Sequence, residues 1–82
     1  MIELGEAKRI ASEFLKCNEQ RIITKVYDAG SEWIIFSGVP GKVRIGGQGA
    51  LVKKEDGAVK MFRLPSDENF KKLKAAELIY EV

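Results

Sequence analysis

Histidine, the side chain most used as a general base and metal ligand near neutral pH, does not occur in this 82-residue chain. Its absence removes every Ser-His and Cys-His dyad. The single cysteine, Cys17, has no second thiol to pair with and no imidazole with which to share a zinc ion. Carboxylates are scattered over helical surfaces and one turn. Glu55 and Asp56 adjoin at a loop tip, where solvation leaves nothing to activate them, and Glu13 and Asp28 have no evident reason to converge. The cluster Gly46-Gly47-Gln48-Gly49 invites a phosphate-loop reading. A Walker loop, however, needs Gly-Lys-Ser/Thr leading into a helix, and this cluster leads into an extended run. The dinucleotide fingerprint fails on the same ground. No catalytic residue, metal site or cofactor is therefore expected, and the chain reads as non-enzymatic.

Charge is the remaining chemistry. The net charge is only +2, but residues 39–63 carry Lys42, Arg44, Lys53, Lys54, Lys60 and Arg63 against Glu55 and Asp56. The segments on either side are each slightly acidic. Solvent-facing strand lysines often serve only to blunt sheet edges. The functional reading is a basic surface, with Lys42, Arg44, Lys53 and Arg63 as candidate partner-binding residues.

These residues need elements to position them, and 82 residues make one domain, 1–82, with a small core. Residues 3–16 read as a helix, because Leu4, Ala7, Ile10, Ala11, Phe14 and Leu15 recur at helical spacing. Glu3 and Glu6 near its start and Lys16 near its end suit the helix dipole, and Asn18 is placed to end it. Arg21 to Asp28 is a β-branched strand, and Ala29-Gly30-Ser31 a turn. Glu32 to Ser37 is a second strand. Its run Trp33-Ile34-Ile35-Phe36 is apolar on both faces, with Trp33 a core anchor.

Gly38 to Gly49 is a loop in which Val43 and Ile45 make a short extended piece. The stretch Ala50 to Leu64 is a hairpin centred on Asp56-Gly57. A two-residue loop would set Lys53 against Lys60, and like charges facing across strands repel. A three-residue loop, Glu55-Asp56-Gly57, with Gly57 left-handed, avoids this and is preferred. It sets Leu51 opposite Met61 and Val59 opposite Lys53, with a bulge near Met61-Phe62. Ser66 is an N-cap for a second helix over 67–76, whose apolar side is Phe70, Leu73 and Ala76. The tail 78–82 reads either as a short edge strand or as a last helical turn. The expectation is an α+β fold: a small antiparallel sheet of about four strands, order α-β-β-β-β-α, with both helices packed on one face.

These motifs resemble a family. An N-terminal helix with Glu6-Ala7, Ala11 and Leu15 precedes a strand bearing Trp33, Ile35 and Phe36. The step Gly47-Gln48-Gly49 leads into Leu51-Val52, and Lys54-Glu55-Asp56-Gly57 with Val59 forms a Lys-x-x-Gly hairpin. A final short helix carries Phe70 and Leu73. Over most of its length the chain is similar to the YrhB-like bacterial proteins grouped with the toxin-neutralising family called immunity protein 35. It departs from the family pattern at Gln48 and Ala50 in the glycine step and at Lys53 before the hairpin lysine. The resemblance implies a small non-enzymatic bacterial protein that binds and blocks a partner toxin.

A basic inhibitor surface suits an acidic partner better than a nuclease, whose own site is basic. Two other classes compete. A nucleic-acid-binding sheet would stack bases on Trp33, Tyr27 and Phe36, but the low net charge and the need for these aromatics in the core oppose it. A chain-holding chaperone would need an exposed apolar patch. No run approaches the ~20 apolar residues of a membrane span. The acidic N-terminus and lone cysteine suit the cytoplasm.

Overall fold

The computed structural model describes residues 1–39, 48–63 and 67–81, without the side chain of Gln48. The expectations for Val43, Ile45 and Ser66 lie outside the described residues. The fold is α+β: among the described residues, a five-stranded antiparallel sheet and two helices. In chain order the elements are α1 (Leu4–Phe14), β1 (Ile22–Asp28), β2 (Glu32–Gly38), β3 (Gln48–Lys53), β4 (Val59–Arg63), α2 (Asp67–Ala75) and β5 (Glu77–Glu81). In space the strands run β4-β3-β2-β1-β5. The tail is thus a strand, and it crosses to the far side of β1.

α1 lies on one face of the sheet. Ala7 and Ala11 are fully buried, and their small side chains bring the helix axis close to Val26, Trp33, Ile35, Ala50 and Val52. Leu4, Phe14 and Leu15 close the margins. The helix ends earlier than its periodicity suggests. Lys16, not Asn18, takes the left-handed conformation, at φ 57°. The N–H of Cys17 donates to the Ser12 carbonyl and that of Lys16 to the Glu13 carbonyl, satisfying the last turn in a Schellman motif. Asn18 instead organises the next turn, where its Oδ1 accepts from the N–H groups of Gln20 and Arg21.

The second helix packs on the opposite face, which corrects the expectation that both share one. Leu73 and Ala76 sit against Ile34, Leu51 and Phe62, the residues that alternate with the α1-facing set. The reason is in β2, where consecutive apolar residues leave two faces to cover. α2 itself buries no residue. A Lys72–Glu32 ion pair of 2.7 Å helps to hold it. Its acidic start at Asp67 and Glu68 and basic end at Lys72 and Lys74 match the dipole.

The hairpin register differs from both sequence alternatives. β3 and β4 pair Val52 with Val59, Leu51 with Lys60 and Ala50 with Met61. The Lys53 N–H donates to the Ala58 carbonyl, which leaves a four-residue loop, Lys54 to Gly57. Gly57 is left-handed at φ 77°, as its turn position requires. A Cβ there would also crowd Ile10 and Ile2. This register sends Val52 and Val59 to the α1 face and Leu51 and Phe62 to the α2 face, and pairing shows no bulge at Met61-Phe62.

The irregularities fall elsewhere. Thr24 is an extra residue in β1 opposite β2, so Ile23 and Val26, three apart, both reach the α1 core. Ile79 is extra in β5, so Tyr80 pairs with Val26 on the α1 side while Leu78 pairs with Tyr27 on the other. On the α2 face, Tyr27, Phe36 and Phe62 form a ladder of edge-to-face contacts at 6.0 and 5.9 Å between centroids. Gly49 lies beneath it. A Cβ there would sit 2.8 Å from the Ile35 carbonyl oxygen and 2.9 Å from the Phe36 ring, so only glycine admits that ring.

Candidate functional site

Two of the four basic candidates fall among the described residues, and these two do not share a face. Lys42 and Arg44 lie outside those residues. Lys53 and Arg63 are both exposed but on opposite faces: Lys53 pairs with Glu32 on the α2 side, and Arg63 pairs with Gln48 on the α1 side. Strand alternation under the four-residue loop separates them. Lys53 instead comes near Lys60, its diagonal cross-strand neighbour. Together with Glu32, Leu51, Ala58 and Val59, these two lysines line a half-open depression of about 250 Å³. Glu32 is engaged by Lys72. Among the described residues no buried polar side-chain atom lacks a partner, so nothing of that kind points into the depression.

Lys54, absent from the candidate set, has a structural task. Its ammonium lies 2.8 Å from Asp28 Oδ1 and 5.1 Å from the centroid of Trp33. Its N–H donates to the Ser31 carbonyl, and its own carbonyl accepts from the Ile2 N–H. The hairpin tip is thereby tied to the β1–β2 turn and to the start of the chain. The Lys54 hydrogen bond, followed by the N–H of Gly30, holds the Asp28 carboxyl below the usual carboxylate range, against weak opposition from burial. The arrangement is an anchored ion pair at the end of the core.

Trp33, Tyr27 and Phe36, the three aromatics considered for base stacking, are taken up in the core and its margins. Trp33 is 7% exposed, and Tyr27 and Phe36 are half-buried in the ladder. Among the described residues no three His, Cys, Asp or Glu side chains gather as metal ligands. No described helix is long and apolar enough to cross a membrane.

The surface feature that stands out lies on the last strand. β5 is exposed at all five positions, and Leu78, Ile79 and Tyr80 are 44%, 41% and 37% exposed in a row. Among the described residues β5 has a strand neighbour on one side only. Its outer backbone groups thus face away from the sheet. The alternating tail carried the signal for an edge strand; the crossover puts that edge beside β1. The opposite edge, β4, carries an exposed cation on each face, Lys60 on the α2 side and Arg63 on the α1 side, which discourages pairing. β5 carries charge only at its ends, Glu77 and Glu81. A search of protein-family models, curated proteins and solved structures finds no match to this chain.

Proposed function

We propose that this chain is a small non-enzymatic module that binds another protein and blocks it sterically, in the manner implied by its resemblance to the YrhB-like and immunity protein 35 proteins. On this reading the partner is a toxin and the setting is the bacterial cytoplasm. The observation that carries the reading is the contiguous exposed strip Leu78-Ile79-Tyr80 on an edge strand. Exposed apolar surface of this kind marks association sites more often than catalytic ones. The chemistry in the sequence agrees, because with no histidine and one cysteine a recognition surface is the simplest use of the fold. Lys53 and Lys60 add a local positive field that would speed encounter with an acidic region of the partner.

The test is affinity capture from the native host, followed by rebinding of the purified pair and an assay of the partner's toxicity. A captured protein that rebinds one-to-one and is neutralised supports the reading. A chain that retains only nucleic acid, with binding that falls steeply as salt rises, contradicts it.

A further inference from the structure

The exposed strip on β5 has a polarity of its own, and we infer that β5 takes an extended segment of the partner as a sixth strand, with an apolar centre against Leu78–Tyr80 and a lysine or arginine beside Glu77. The inference rests on the protein-binding reading above and specifies how that binding is made.

Three observations converge on it. The first is geometric: among the described residues, β5 is paired with β1 alone, so its other side offers main-chain donors and acceptors to an added strand. The second is the side-chain pattern. The bulge at Ile79 sends Tyr80 to the α1 side, where Lys8 lies over its ring at 3.5 Å, and Leu78 to the α2 side. An incoming strand would therefore find an apolar neighbour on each face.

The third is charge. Glu77 lies directly opposite Asp28 in the ladder. Asp28 is neutralised by Lys54, and Glu81 lies 3.5 Å from Lys25, but Glu77 has no cation within ion-pair distance among the described residues. Two carboxylates face each other at that end of β5, and one of them lacks a counter-charge, so a basic residue in the added strand is complementary there. The same charges disfavour a second copy. Antiparallel pairing of two β5 strands centred on Ile79, the overlap that uses all five residues, sets Glu77 against Glu81 of the other chain. The occupant favoured is therefore a heterologous segment with basic ends.

The probe is a capped peptide, Lys-Val-Val-Val-Lys, matched to the five residues of β5 and set against a version with glutamate at both ends and a version N-methylated at alternate amides. Amide resonances of the full chain locate binding, and anisotropy measures its strength. The lysine-ended peptide should shift residues 77–81 and bind about five- to tenfold tighter than the glutamate-ended one. N-methylation should abolish binding, and Glu77→Lys should reverse the end-charge preference. Equal binding of the two charged peptides, shifts away from β5, or unimpaired binding of the N-methylated peptide would each overturn the inference. So would self-association of the unsubstituted chain that shifts residues 77–81, because the occupant would then be a second copy. A captured partner whose binding ignores both Glu77→Lys and the competing peptide removes strand addition while leaving the binding module in place.

Discussion

The two faces of the sheet are covered by helices that do unequal work. On the α1 face the helix buries Ala7 and Ala11 completely and joins a set that includes Trp33, Ile35 and Val52. On the α2 face the sheet covers itself. Phe36 and Phe62 lean on one another above Gly49, and α2 contributes half-buried Leu73, with Ala76 just beyond its end, while leaving Phe70 47% exposed. A face built from small helical residues depends on close approach and resists added volume. A face built from large strand residues depends on those residues and tolerates a poorly seated helix. The difference shows that a helix can be needed to complete an architecture without being a main source of its stability.

Substitutions on each face test this contrast. The largest effect is expected at Phe62→Ala, which removes the fully buried end of the aromatic ladder and should cost about 3 to 5 kcal/mol in urea denaturation. On the other face, Ala11→Leu should cost about 1 to 3 kcal/mol, because the added volume pushes α1 off the sheet. If Ala11→Leu is neutral, the close approach is not what holds α1. Leu73→Ala should cost only about 1 to 2 kcal/mol, below the range for fully buried leucines, since the strand aromatics keep the face closed. A loss as large as that of Phe62→Ala would place α2 on equal terms with α1.

The smallest effect is a change of pH dependence at the end of the α1 face. The folded pKa of Asp28 is depressed below its unfolded value. The stabilisation is therefore complete above the unfolded carboxylate range and is lost as pH falls through the lower folded value. Asp28→Asn should flatten the acid limb of stability below about pH 4 while leaving the aromatic face untouched. An unchanged acid limb would show that the Lys54 contact does not distinguish folded from unfolded chain.

Much of this division was legible in the residues, and the rest was hidden for identifiable reasons. The spacing from Leu4 to Leu15 marks α1, and the doubly apolar run at Trp33 to Phe36 signals a central strand covered on at least one side and partly sheltered on the other. That run left the cover of the second face open, and the few apolar residues of α2 do not say which face they seek. Gly57 was recognisable as the left-handed turn residue. The loop length was not, because contacts from Ser31 and Ile2 to Lys54 hold the tip and neither is local in sequence. Thr24 and Ile79 carry no mark of a bulge; neighbouring strands impose it. The basic candidates were chosen by proximity along the chain, whereas strand alternation sends Lys53 and Arg63 to different faces. The exposed strip on β5 needed the crossover to become visible.

That crossover also bears on assembly of the molecule. β1 pairs early in sequence with β2, but its second neighbour arrives only after the hairpin and α2 have been made. Until then β1 presents an open flank, and closing it requires a long-range encounter that is slow compared with hairpin formation. Detachment of β5 would recreate that vacancy, so whatever grips β5 from outside also bears on how often the interior of the sheet is laid bare.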